Sequence, residues 1–87
     1  SRGLGDVYKR QSLHILTPEK TLYEGVSTAI QFPGKDGLFQ VLKDHAPLMA
    51  SLTKGTIRIN SGDGIQDITI IGGVVEVSNN KVTVLAL

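Results

Sequence analysis

The chain has 87 residues, no cysteine and no tryptophan, and a formal net charge of +1. That length holds one domain, and the missing cysteines exclude a disulfide scaffold, a thiolate metal site and a cysteine nucleophile. No run of about 18 apolar residues offers a membrane-spanning helix, and so small a charge gives no footing for nucleic acid.

Residues 1–11 stand apart. The string SRGLGDVYKRQ carries Arg2, Lys9 and Arg10 against Asp6 and keeps neither a strand nor a helix period. Its Asp6–Gln11 portion resembles the translation of a transposon-end sequencing adapter. The segment is therefore expected to be non-native or disordered and is set aside from fold reasoning. Residues 12–87 keep six of the nine Lys/Arg and seven of the eight Asp/Glu, for a net charge of −1.

From Leu13 the sequence reads as strand, turn, strand. Leu13–Leu16 is a short apolar run stopped by Thr17-Pro18, because proline cannot donate to a ladder. Thr21–Glu24 predicts a second strand closed by Gly25. Val26, Thr28, Ile30 and Phe32 then alternate with Ser27, Ala29 and Gln31, the period of a half-buried strand. Pro33-Gly34-Lys35-Asp36-Gly37 is a dense turn signal. Leu38–Leu42 resumes, with Phe39 and Val41 on the face opposite Leu38, Gln40 and Leu42.

Lys43 to Pro47 is a polar connection, and Leu48–Leu52 is short and apolar. Thr56–Asn60 alternates around Ile57 and Ile59. Ser61-Gly62-Asp63-Gly64 reads as a hairpin turn, and Ile65–Ile71 follows. Gly72-Gly73 predicts a break or bulge. Val74–Val77 and Lys81–Leu85 flank Asn79-Asn80, a pair suited to a primed two-residue turn because asparagine tolerates positive φ. No window keeps a helical period for three turns. Eight or nine short strands predict an all-β fold, an antiparallel sandwich of two packed sheets with Val, Ile and Leu as its core.

The residue types that carry catalysis do not gather. His14 and His45 lie 31 positions apart without flanking ligand patterns, so no metal site is expected. His14 alternates with Leu13 and Ile15 and is expected to face solvent or a partner. His45, before Ala46-Pro47, is expected to hydrogen-bond its own loop backbone. No serine has a nucleophile-elbow context, and Gly34 to Gly37 lacks the rest of a phosphate-binding loop. No catalytic residue and no cofactor is expected. Small all-β carriers present a lysine at a hairpin tip for lipoyl or biotinyl attachment. Lys35 has that position but neither family's flanks, and it stands as the alternative reading.

Asp44-His45-Ala46-Pro47-Leu48, followed by Lys54-Gly55-Thr56-Ile57-Arg58-Ile59, resembles the epsilon subunit of bacterial F-type ATP synthase, called delta in mitochondria. Leu13 to Glu19 resembles that family's opening strand and turn. Gly37 to Leu42 resembles its strand into the His-Ala-Pro turn. Gly72 to Val77, with Val82 to Leu85, resembles its Gly-Gly strand pair. The blocks fall in family order.

The resemblance implies a flattened sandwich and a non-catalytic rotor part of the central stalk. It implies coupling of the gamma subunit to the membrane c-ring during proton-driven ATP synthesis, with catalysis in other subunits. Carried over by position, His45, Ala46, Pro47, Leu48 and Ala50 fall at the gamma contact. Thr17, Asp36, Gly37 and Leu38 fall toward the c-ring loops. Lys43 stands where the family commonly has proline, and Leu38 where some members carry a carboxylate. The family's inhibitory two-helix hairpin has no counterpart before Leu87, so neither its inhibition nor its ATP site is carried over. Residues 12–87 are expected to form the sandwich domain, held peripherally at the cytoplasmic face of the bacterial inner membrane. A partner-covered patch is expected to include exposed apolar side chains, with Leu38, Leu48 and Met49 as candidates.

Overall fold

The computed structural model describes residues 10–87. The expectation for residues 1–9 lies outside the described residues. Nine strands follow in order: β1 (Gln11–Leu16), β2 (Thr21–Ser27), β3 (Ala29–Gly34), β4 (Gly37–Leu42), β5 (Leu48–Leu52), β6 (Gly55–Asn60), β7 (Ile65–Ile70), β8 (Gly73–Ser78) and β9 (Lys81–Ala86). The first strand takes in Gln11, one residue inside the segment set aside above. Gln11 is 2% exposed and donates from Nε2 to the carbonyl of Val41 at 3.1 Å.

The hydrogen-bonded order is β2-β1-β9-β8-β5-β3-β6-β7, with β4 on the other edge of β3. The ladder narrows between β5 and β3 to the single pair Gly34–Leu52. Around that corner the Thr53 amide donates to Pro33 and the Lys35 amide to Ser51. The strands thus form two layers, β2-β1-β9-β8-β5 and β4-β3-β6-β7, folded over one core as a nearly closed sandwich.

Alternation decides which side chains meet between the layers. Leu13, Ile15, Val75, Val77, Val82 and Val84 point inward from one layer. Ile30, Phe32, Val41, Ile57, Ile59 and Ile70 point inward from the other. Phe32 stacks on Phe39 with ring centroids 5.4 Å apart. Each fully buried Leu, Ile or Phe contributes about 1.5–3 kcal/mol, so a chain with four aromatics in all relies on its branched aliphatics.

Two expectations need correction. The period-two run from Val26 to Phe32 is divided between β2 and β3, and the break falls at Thr28 rather than at Gly25. Gly25 stays in β2 opposite Leu13. The physical reason is a change of partner. Both the amide and the hydroxyl of Thr28 donate to the Asn60 carbonyl, at 2.7 and 3.0 Å, which hands the chain from β1 to β6. The sequence alternation runs through that crossing and conceals a change of face: before it Ser27 is buried and Val26 exposed, and after it Ile30 and Phe32 are buried.

The second correction concerns strand direction. All pairs are antiparallel except β1 with β9, which run parallel from Ser12–Lys81 to Leu16–Leu85. A parallel pair needs a long connection, and here the whole intervening domain supplies it. The turns follow the sequence reading. Asn79 and Asn80 have φ of 51° and 61°, the left-handed pair of a primed turn. Gly72-Gly73 is the break between β7 and β8, with Gly73, at φ 150°, opening β8. A Cβ there would collide with the Leu85 carbonyl oxygen, so only glycine lets β8 close on β9.

Candidate interaction surfaces

Register places the predicted contact residues at two ends of the sandwich. Leu16 pairs with Leu85, Leu85 with Val74, Leu52 with Gly73 and Gly34 with Leu52. The turns after β1, β3, β5 and β7 therefore share one end. Thr17, Asp36, Gly37 and Leu38 all lie there. The β4–β5 loop with His45, Ala46 and Pro47 lies at the other end, beside the Asn79-Asn80 turn.

At the first end, Thr17 spends its hydroxyl on its own turn. Its Oγ1 accepts from the amides of Glu19 and Lys20 and donates to the Lys20 carbonyl at 3.0 Å. Lys35 and Asp36 form the exposed tip between β3 and β4. Leu38 is 69% exposed, as is Met49. A shallow groove of about 530 Å³ runs between the β3–β4 hairpin and β5, lined by Gly34 to Phe39 and Leu48 to Ser51. It brings Asp36, Gly37 and Leu38 beside Leu48 and Ala50, so members of both predicted sets share one surface.

Along β5 the three residues differ. Leu48 and Ala50 pack inward against the core, and Met49 between them points out. Met49 is thus the outward side chain of this part of β5, while Leu48 and Ala50 line the groove. At the second end, the His45 ring donates from Nδ1 to the Ala46 carbonyl at 2.7 Å, which is the loop-backbone bond expected from sequence. Ala46 and Pro47 are exposed. His14 is half-exposed, 3.5 Å from Glu24 across β2.

Sequence reasoning missed two features. The first is an apolar row on the outer side of the larger layer: Leu16, Leu85 and Val74 are laterally adjacent on β1, β9 and β8. Leu85 is 59% and Val74 40% exposed, and Ile71 and Leu87 extend the patch. Val74 beside Val75 carried the signal, because adjacent strand residues face opposite sides. The second is Asp44, at φ 66°. Its amide donates to Asn80 Oδ1 at 2.6 Å, and Asn80 Nδ2 donates to its carboxylate at 3.0 Å. That bond, reinforced by Lys43 at 3.6 Å, holds the Asp44 carboxyl below the usual range.

Among the described residues no His, Cys, Asp and Glu gather as a metal site. Among the same residues no helix is long and apolar enough to cross a membrane. The surfaces offer apolar side chains and turns, the means of docking.

Comparison with known proteins agrees with this picture. Residues 10–87 match the family described as ATP synthase, Delta/Epsilon chain, beta-sandwich domain. The ATP synthase epsilon chain of Chlorobium limicola is 45% identical over 78 residues, covering 88% of this chain and 89% of that protein. The ATP synthase epsilon chain of Leptospira borgpetersenii is 38% identical over 74 residues, and there the match spans 58% of the relative's length. Among solved structures, a chain of the Tetrahymena thermophila mitochondrial ATP synthase central stalk and c-ring superposes with a TM-score of 0.74. It is 17% identical, and the match covers 87% of this chain and 62% of that one. A chain of the Euglena gracilis mitochondrial ATP synthase gives 0.79 at 19% identity, over 85% and 48%. At those identities the likeness speaks for the fold.

Proposed function

Because this chain belongs to the delta/epsilon β-sandwich family of ATP synthase, we propose that it is a non-catalytic rotor element that couples the gamma subunit to the c-ring. The match over residues 10–87, with relatives that are ATP synthase epsilon chains, carries the reading. The geometry supports it. A coupler must transmit torque without bending, and two layers closed around one core make a stiff body. It must also engage two partners, and the proposed contacts start at opposite ends of the body and meet at the groove beside β5. The Thr17, Asp36, Gly37 and Leu38 end is the proposed c-ring contact. His45, Ala46 and Pro47, continuing through Leu48 and Ala50, are the proposed gamma contact, and Met49 joins them as the outward side chain of β5.

In this reading catalysis lies in other subunits, and the chain sits peripherally on the cytoplasmic face of the bacterial inner membrane. Its work is mechanical. The test is co-purification of the tagged full chain with gamma and the c-ring from reconstituted complex. Stable retention of both is expected. A chain that never retains gamma overturns the reading.

A further inference from the structure

Asn80 touches three segments that are far apart in sequence. Its backbone belongs to the β8–β9 turn. Its carbonyl accepts from the Ser12 amide at 2.9 Å and from the Ser12 hydroxyl at 3.4 Å, which anchors the start of β1. Its side chain makes the reciprocal pair with Asp44 at 2.6 and 3.0 Å. That last contact crosses to the loop bearing His45, Ala46 and Pro47.

The loop has few other ties. The His45 amide donates back to Leu42 at 3.1 Å, and the His45 ring to Ala46. Pro47 has no amide to give. Both bonds are internal to the loop or to the end of β4, so they shape it without fixing it against the body. The Asn80 pair is the bond that does. It also holds Asp44 in the left-handed region, where a non-glycine residue needs local support. A loop held in its bound shape loses less freedom on association.

We propose that Asn80 is a positioning residue, which through Asp44 pre-sets the His45-Ala46-Pro47 loop for its partner. The inference rests on the gamma contact proposed above. Asn80 touches no partner itself and acts by removing alternative loop conformations.

The experiment uses the full chain with Asn80→Gly, which accepts the positive φ but lacks the amide group. Asp44→Asn is the conservative counterpart, because its side-chain oxygen still accepts from Asn80. Amide hydrogen exchange at Asp44 and His45, thermal midpoint, and affinity for purified gamma at 25 °C are measured together. For Asn80→Gly, about tenfold faster exchange at both amides is expected, the effect of losing roughly one net hydrogen bond. Gamma binding is expected to weaken by a similar factor while the variant is fully folded. Asp44→Asn is expected to keep both values within about twofold.

A merely structural role lowers the thermal midpoint and leaves the affinity of the folded variant alone. Unchanged exchange, or faster exchange with wild-type affinity, overturns the proposal. Failure of the wild-type chain to bind gamma instead sinks the functional reading, and the pre-setting of that contact falls with it.

Discussion

Gly34 and Leu52 form the only register pair between β3 and β5, and the two layers join through it. Gly34 also lies against the tip of the β3–β4 hairpin, where there is no room for a side chain. A Cβ there would lie 2.6 Å from the Gly37 carbonyl oxygen and 2.8 Å from the Phe39 ring. Both neighbours are held in place by the β3–β4 ladder. Gly34→Ala is expected to destabilise by about 1–3 kcal/mol. Gly64→Ala, where nothing lies within 4 Å, is expected to stay within about 0.5 kcal/mol. Urea unfolding midpoints of the two variants provide the check.

Phe32 is completely buried and meets Phe39 across the hairpin. Its truncation to alanine leaves a cavity between two layers that cannot close further. A loss of about 3–5 kcal/mol is expected, a large share of what a domain this small possesses. Circular dichroism during thermal melting reads this directly. A midpoint shift of only a degree or two would contradict the placement of Phe32 at the core.

Leu38 poses the opposite case. At 69% exposure it contributes little to the fold, so Leu38→Ser is expected to change stability by under about 0.5 kcal/mol. Its proposed role is to dock against the c-ring. In reconstituted complex the variant is expected to lose c-ring retention while keeping gamma. Equal retention of both partners would remove Leu38 from the contact.

Arg58 and Asp67 oppose one another on β6 and β7. Two hydrogen bonds join them, Nε to Oδ1 at 3.0 Å and Nη2 to Oδ2 at 3.2 Å. The hydrogen bond from Arg58 lowers the Asp67 pKa. A depressed carboxylate adds stability that is present above its unfolded pKa of about 3.9 and is lost as pH falls through the folded value. Asp44 shares that sign through its bond to Asn80. Both carboxyls are therefore expected to titrate below the ordinary aspartate range in carbon-detected NMR. Asp67→Asn should flatten the acid side of the stability profile. The pair is open to water, so added salt should weaken it.

Most of the fold is readable from particular residues. Ile57 and Ile59 alternate against Thr56 and Arg58, and β6 lies where they place it. Asn79-Asn80 announced its turn because few other residues accept two consecutive positive φ values. What was hidden depends on partners distant in sequence. Thr28 looks like one more strand residue until Asn60 is seen to take both its donors. Leu85 and Val74 look like core until register sets them on the outside. Asn80 was visible as a turn residue, and its grip on Asp44 was not, since 36 positions separate them. The proposed contact residues come only from family resemblance. Periodicity separates the two faces of a strand without saying which of them another protein covers.

The parallel pairing of β1 with β9 sets the order in which the molecule can be made. The opening strand is held between β2 and the closing strand, so its second edge stays unpaired until residues 81–86 exist. A ribosome releasing this chain from its N-terminus cannot finish the sandwich partway. The long sequence separation slows closure relative to a fold of local hairpins. During that interval the β1 edge and the apolar faces beside it are exposed to other chains. The pairing that closes the finished body thus leaves the β1 edge open to other chains until β9 has been made.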